Sequence, residues 1–157
     1  MGFFRDTLGK TYDELAVGQK ASFSRRVTKQ DVLQYMALTG DLNPLYADSS
    51  YAGRTRYEQI IVPANMLAGL TMGAVATVLP GLGSLTHTHC YRLVTPAHIG
   101  DEVVAVMEIV ELKPEQRHVL IRYRLHNQEG REILAGEMEV EPPERLKPIL
   151  HHAYENF

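Results

Sequence analysis

The chain has 157 residues, which is enough for one domain with a substantial hydrophobic core. Hydrophobic residues make up 45% of it and charged residues 22%, a composition typical of globular proteins. The net charge of -3 and the absence of a basic tract argue against a nucleic-acid-binding surface. The single cysteine, Cys90, excludes an intrachain disulfide and fits a reducing compartment, so we expect a cytoplasmic protein. The N-terminal segment is charged within six residues and has no long apolar run, so no signal peptide is expected.

The first predicted elements are a strand and an amphipathic helix. Residues 20–27 alternate weakly between polar and apolar side chains and predict a strand. Thr28 and Asp31 then form a variant of the capping box, in which the threonine hydroxyl caps an early N–H group and the carboxylate favours the positive end of the helix. Gly40 ends the helix, as a glycine at a C-terminus often does. The apolar face of this helix is expected to contain Val32, Tyr35, Met36 and Thr39.

A second helix is predicted in a long segment without charge. No Asp, Glu, Lys or Arg occurs from residue 59 to residue 91, a pattern that a transmembrane helix also produces. Pro63 and Pro80 bracket its helical part, roughly residues 65–78, which at about 1.5 Å per residue spans only about 20 Å. This is short for a bilayer. The sequence therefore favours a helix that is buried on all sides within the protein over one that spans a membrane.

Four further strands follow this helix. Residues 84–94, 102–112, 117–127 and 131–141 carry strand patterns, and turn residues separate them. The last three are expected to form an antiparallel meander. Because an antiparallel sheet needs its inner face covered, the apolar helix is predicted to pack on it. The fold class is therefore α+β, in one domain over 1–157 with a core at about 15–141 and a polar tail at 142–157.

Several short motifs occur in the order and spacing of one known family. They are Thr-x-x-Asp-Val at 28–32, Gly-Asp-x-Asn-Pro-Leu at 40–45, Ile-Val at 61–62, Leu-Pro-Gly-x-Gly-Ser at 79–84 and Pro-x-x-x-Gly-Asp-x-Val at 96–103. With these motifs the chain resembles the MaoC-like dehydratase family, which includes R-specific enoyl-CoA hydratases, from about residue 15 to residue 140. The resemblance implies a hot-dog fold, in which an antiparallel sheet wraps around a central helix.

The resemblance also implies roles for individual residues. In that family an Asp and a His of the 40–48 loop add water across the double bond of a trans-2-enoyl thioester, and a backbone N–H at the start of the central helix polarises the carbonyl. Asp41 matches the acidic catalytic position, whereas Tyr46 stands where the histidine belongs. Ala64 matches the glycine whose N–H faces the carbonyl, and Asn43 matches an asparagine that holds the loop. Asn65 replaces a methionine and adds an amide at the mouth of the site, for substrate or for helix capping.

Both catalytic positions have structural alternatives. Asp41 could satisfy backbone donors after the end of the helix, as Asp often does in turns. Tyr46 could act as a general acid, or its hydroxyl could position substrate or bond a neighbouring group. A tyrosine with a pKa near 10 can donate a proton but is poorly matched to shuttling one at neutral pH.

Two histidines in the next strand are candidates for the missing group. His87 and His89 lie two residues apart, so both are predicted on the face that looks onto the central helix. There they would bind substrate or supply the general acid, or they would be ordinary core or rim residues. A zinc site at this pair is a weaker alternative because no cysteine or carboxylate pattern accompanies it, and no metal is expected.

Three functions are consistent with these residues. The first is a reversible R-specific enoyl-CoA hydratase or 3-hydroxyacyl-CoA dehydratase, acting on a coenzyme A or acyl carrier protein thioester without another cofactor. The second is a non-catalytic acyl-thioester-binding protein, and the third is an acyl-CoA thioesterase. The resemblance implies a homodimer, which would also cover an edge strand of the sheet. Neither a membrane nor nucleic acid is expected as a partner.

Overall fold

The computed structural model describes residues 8–145 and has the α+β arrangement that the sequence predicts. Residues 1–7, on which the signal-peptide prediction partly rests, and residues 146–157 of the predicted polar tail lie outside the described part. The elements in chain order are a 3-10 turn Tyr12–Glu14, β1 Lys20–Arg26, α1 Lys29–Thr39, α2 Pro44–Ala47, α3 Ser49–Ala52, α4 Ala64–Thr77, β2 Leu85–Leu93, β3 Glu102–Lys113, β4 His118–His126 and β5 Glu132–Glu141.

The five strands form one antiparallel sheet in the order β1-β3-β4-β5-β2. The predicted meander β3-β4-β5 is confirmed. The two strands that precede it in sequence pair with its two sides, β1 with β3 and β2 with β5, so β1 and β2 are the edges.

Helix α1 is fixed at both ends by local interactions. The Thr28 hydroxyl accepts a hydrogen bond from the Asp31 N–H at 3.2 Å, and the Asp31 carboxylate accepts one from the Thr28 N–H at 2.8 Å. These reciprocal bonds satisfy two N–H groups that the first turn leaves unpaired. Gly40 ends the helix at φ 72°, a left-handed conformation that glycine adopts without strain. The loop that follows therefore leaves the helix in a defined direction.

The core lies between one face of the sheet and helix α4. Alternate residues of the central strands point to this face and are fully buried, as β structure requires. They include Val103, Ala105, Met107 and Ile109 of β3, Val119, Ile121, Tyr123 and Leu125 of β4, and Met138 and Val140 of β5. Helix α4 covers them with Met66, Leu67, Ala68, Thr71, Ala74 and Val75.

One side of α4 stays open in the single chain, which corrects the prediction that the helix is buried on all sides. Asn65, Gly69, Met72, Gly73 and Thr77 are exposed and recur at helical spacing. The sequence could not reveal this, because small and apolar side chains occupy the open side as well as the buried one. Among the described residues, no helix combines the length and apolarity needed to cross a bilayer.

A bulge in β2 corrects a second prediction. Thr86 pairs with Val140 and Thr88 pairs with Glu139. Because Val140 and Glu139 are adjacent in β5, His87 has no partner there and is an extra residue in β2. A bulge shifts the side-chain alternation by one residue. His87 therefore turns to the outer face of the sheet, and the prediction that both histidines face the central helix is wrong for His87.

Candidate active site

The loop after α1 carries Asp41, whose carboxylate makes few hydrogen bonds within the described part of the protein. Among the described residues that carboxylate accepts one long hydrogen bond, 3.4 Å from the Asn43 N–H, and the side chain is partly exposed. The Asn43 side chain in turn caps the short helix α2 by accepting from the Leu45 N–H at 3.0 Å. Asn43 thus holds the loop in shape, and most of the hydrogen-bonding capacity of Asp41 is left for another molecule.

The sequence did not predict α2, and this single turn has a consequence for Tyr46. Helix α2 begins with Pro44 at its first position, where proline is well tolerated. The turn carries Tyr46 back into a half-buried position near Asp41, Tyr35 and Tyr91. Burial raises the pKa of Tyr46 above its usual value, and the Asp41 carboxylate and the two tyrosines add to that effect. The Tyr46 hydroxyl is consequently neutral around pH 7 and acts as a donor rather than a base.

The start of α4 forms the other wall of the site. Pro63 occupies the N-cap and no side chain caps the first turn within the described part of the chain, so the N–H of Ala64 is left to bind something else. A helix N-terminus also carries partial positive charge. Asn65 lies beside it, and its side-chain oxygen accepts a hydrogen bond from the Tyr91 hydroxyl of β2.

Backbone hydrogen bonds connect the loop that carries Asp41 and Tyr46 to the segment before α4. The N–H of Ile61, shortly before α4, donates to the Leu45 carbonyl of α2 at 3.1 Å. The next residue, Val62, donates to Ala97 at 2.8 Å, which anchors the same segment to the turn before β3. The loop carrying Asp41 and Tyr46 is thereby fixed relative to the N-terminus of α4.

His89 lies deeper on the same side, where sequence reasoning identified the histidine but missed its partner. Its Nε2 atom lies 2.8 Å from the hydroxyl of Tyr123, and its ring lies 5.3 Å from that of Tyr91. Burial lowers the pKa of His89, so the ring is neutral near pH 7. Burial also raises the pKa of Tyr123 to about 12, despite the nearby Thr71 hydroxyl, which lowers it. The phenol therefore stays protonated.

The sequence contains one signal, Gly136, that could have pointed to the buried position of Tyr123. A glycine inside a strand often marks a close approach of another group. Here a Cβ at Gly136 would lie 2.8 Å from the Tyr123 hydroxyl and 2.6 Å from the Cys90 carbonyl oxygen. The missing side chain leaves room for the phenol under β2.

The structure thus brings together most of the residues predicted for the site and separates one of them. Asp41, Asn43 and Tyr46 share one loop, which is hydrogen-bonded to the segment just before Ala64 and Asn65. Asn65 in turn contacts Tyr91, whose ring lies beside that of His89. His87 lies on the other face of the sheet, with its Nε2 atom 2.6 Å from a carboxylate oxygen of Glu141. The region combines a carboxylate with one long hydrogen bond, neutral phenols and a helix N-terminus without a side-chain cap. These groups can activate water, donate protons and stabilise an oxyanion.

Comparison with known proteins identifies relatives of this arrangement. The MaoC like domain family matches residues 13–129. An (R)-specific enoyl-CoA hydratase of Aeromonas caviae is 35% identical over 129 residues, which cover 82% of this chain and 96% of that protein. A 3-hydroxybutyryl-CoA dehydratase of Methylorubrum extorquens is 31% identical over 106 residues, covering 68% of each. Among solved structures, the unliganded R-hydratase PhaJ1 of Pseudomonas aeruginosa superposes with a TM-score of 0.81 at 33% identity, over 87% of both chains.

Proposed function

This chain belongs to the MaoC-like domain family, and we propose that it is an R-specific enoyl-CoA hydratase that also runs in reverse as a 3-hydroxyacyl-CoA dehydratase. The hot-dog fold predicted from the resemblance is confirmed by the hydratase structure of Pseudomonas aeruginosa. The observation that carries the proposal is the position of Asp41, a carboxylate with one long internal hydrogen bond, on a loop fixed beside the uncapped N-terminus of α4.

The proposed reaction assigns one step to each group. Asp41 accepts a proton from a water molecule while the oxygen of that water bonds to the β-carbon of the enoyl thioester. The electron pair of the double bond moves onto the thioester oxygen, which the Ala64 N–H stabilises as an enolate. Tyr46 donates its proton to the α-carbon and is then reprotonated by Asp41. Because an enolate carbon is much more basic than a phenolate, a neutral phenol with a raised pKa is an adequate donor in this direction.

The remaining parts of the proposal concern carrier, assembly and location. The acyl group is carried by coenzyme A or acyl carrier protein, and the reaction needs no other cofactor. The exposed side of α4, with Gly69, Met72 and Gly73, is the surface that a second copy would cover, and we expect a homodimer. Sedimentation velocity of the purified protein measures that assembly. A cytoplasmic location stays a prediction from cysteine usage.

A paired assay with crotonyl-CoA tests the function. We expect loss of the enoyl absorbance without release of free thiol. Thiol release would identify a thioesterase, and tight binding of crotonyl-CoA with neither signal would identify a non-catalytic binding protein. Asp41→Asn is expected to lower the hydration rate by about 10²–10⁴-fold, the usual contribution of a general base. The thermal unfolding temperature of Asp41→Asn should match that of the parent protein, because the Asp41 carboxylate accepts only one long hydrogen bond among the described residues. An active Asp41→Asn variant would contradict the assignment.

Two substitutions at Tyr46 test the proton donor. Tyr46→Phe keeps the ring and removes the hydroxyl, so kcat is expected to fall by about 10²-fold. Tyr46→His installs the residue that the family resemblance expects, whose pKa near 6.5 suits proton transfer at neutral pH, so kcat should recover to at least the parent value. An unchanged kcat in Tyr46→Phe would exclude Tyr46 as the donor while leaving the role of Asp41 intact.

A further inference from the structure

Two histidines and a carboxylate meet on the outer face of the sheet, away from the proposed active site. They are His87 of β2, His118 of β4 and Glu141 of β5, and one ligand atom from each lies within 4.8 Å of the others. The Nε2 atoms of His87 and His118 lie 2.6 Å and 3.8 Å from the same oxygen of Glu141. The imidazole rings lie 4.5 Å apart. From this geometry we propose that the three side chains bind a zinc ion that joins strands β2, β5 and β4.

The spacing requires only small movements to hold an ion. In a tetrahedral zinc site with bonds of about 2.0–2.2 Å, ligand atoms lie about 3.3–3.6 Å from each other. The side chains of His87 and Glu141 are 40% and 43% exposed, so both can adjust by that amount. The same exposure leaves a path for the ion and room for water as a fourth ligand. Two imidazole nitrogens with one carboxylate oxygen suit zinc better than calcium or magnesium, which prefer oxygen ligands alone.

A second carboxylate orients His118 as a metal ligand. The His118 Nδ1 atom lies 2.8 Å from a carboxylate oxygen of Glu139, and only 13% of the His118 side chain is exposed. When Nδ1–H donates to that oxygen, the lone pair of the neutral ring is on Nε2, which points into the cluster. Ligating histidines are usually held in this way by a carboxylate on the other ring nitrogen. Lys113 also bonds Glu139, which keeps the carboxylate in place.

The local charge also suits a cation. Glu139 and Glu141 contribute two negative charges against the one positive charge of Lys113, so the two imidazole rings lie in a negative environment. The bulge in β2 supplies the third ligand, because without it His87 would point to the other face. Bulges often re-aim a side chain in this way. The three ligands are far apart in the chain, so no short motif marks the site in the sequence.

Zinc titration of the full chain tests the site. The metal-free protein, without an affinity tag, is titrated with zinc against a chromogenic chelator, and also in a background in which His151 and His152 are replaced by glutamine. Those two tail histidines then cannot supply ligands. We expect stoichiometric binding in both proteins, and a higher thermal unfolding temperature with zinc.

Four substitutions in that background locate the ion. Three of them remove a ligand and should each weaken zinc binding by at least about tenfold: His87→Gln, His118→Gln and Glu141→Gln. The fourth, Glu139→Gln, removes the carboxylate that orients His118 and should weaken binding by about tenfold. The matched control is His126→Gln. His126 lies on β4 and on the same face as His118, 3.9 Å from Glu132. It belongs to no cluster of metal ligands among residues 8–145, so its loss should leave binding unchanged. Absence of stoichiometric binding, or equal binding by all the variants, would overturn the proposal.

Discussion

Strand β2 carries two histidines that are close in sequence and lie in opposite surroundings. His89 faces the core, where it meets the Tyr123 hydroxyl and has a lowered pKa. His87 faces outward, on the side where Arg122 and Glu137 pair across the neighbouring strands. A single extra residue produces this difference. One bulge thus places two neighbouring residues of the same type in different surroundings, one against the buried Tyr123 hydroxyl and one against carboxylates.

Gly136→Ala should have the largest effect on stability, because it disturbs the packing around Tyr123 on the inner face of the sheet. The added methyl would lie 2.6 Å from the Cys90 carbonyl oxygen of β2, a backbone atom that moves only if the strand moves. We expect a loss of about 1–3 kcal/mol in the free energy of unfolding, as for other overpacked sites. Urea denaturation followed by circular dichroism measures the change.

Gly69→Ala is the control for that variant. A Cβ at Gly69 meets nothing within 4 Å, and alanine is the better helix former by about 1 kcal/mol, so the variant should be at least as stable as the parent. A stable Gly136→Ala variant would mean that β2 yields easily. A destabilised Gly69→Ala variant would instead indicate that a second copy of the chain packs on the open side of α4.

His89→Gln and His87→Gln test whether the two faces of β2 differ in their effect on activity. His89 shares the inner side with Tyr91 and Asn65, so its replacement should lower kcat/KM for crotonyl-CoA by about tenfold through lost positioning of those groups. His87 points away from the site, and its replacement should leave kcat/KM within about twofold in metal-free buffer. Equal losses in the two variants would show that the faces are not functionally separate.

The sequence predicted the elements well because their patterns are local. The bounds of the two helices and five strands that the sequence predicts, α1, α4 and β1 to β5, agree to within one or two residues. The Thr28–Asp31 box and the Gly40 end are present as predicted. Strand pairing is not local, so neither the place of β2 beside β5 nor the bulge at His87 could be read from alternation. The bulge has no glycine to mark it.

The candidate site was predictable to the same degree. The loop motif located Asp41 and Asn43, because both are fixed by neighbours along the chain. The closeness of Tyr46 to Tyr35 and Tyr91 depends on α2 and on tertiary packing, which no short pattern describes. The cluster of His87, His118 and Glu141 is likewise assembled from three strands.

Tyr123→Phe tests the contact between the Tyr123 hydroxyl and His89 directly, with a smaller expected effect than Gly136→Ala. At pH 7 the variant loses the hydroxyl that meets His89, which should cost about 1 kcal/mol. Glu141→Gln, on the exposed side of His87, should cost less than about 0.5 kcal/mol in metal-free buffer. The difference between these two variants measures how much burial strengthens a histidine contact. A cost for Glu141→Gln equal to that for Tyr123→Phe would remove the distinction between the two faces.

The difference in stability between the parent protein and Tyr123→Phe should depend on pH in the alkaline range. The pKa of Tyr123 is about 12 in the folded protein, against about 10 for a tyrosine in an unfolded chain. Above about pH 10 the unfolded chain therefore binds fewer protons at this residue than the folded one, and the stability of the parent protein falls as pH rises towards 12. Tyr123→Phe lacks this loss. The gap between the parent and the variant should consequently narrow by on the order of 0.5–1 kcal/mol between pH 9 and about pH 10.5. A gap that widens over this range would mean that the phenol ionises more easily in the folded protein than in the unfolded chain.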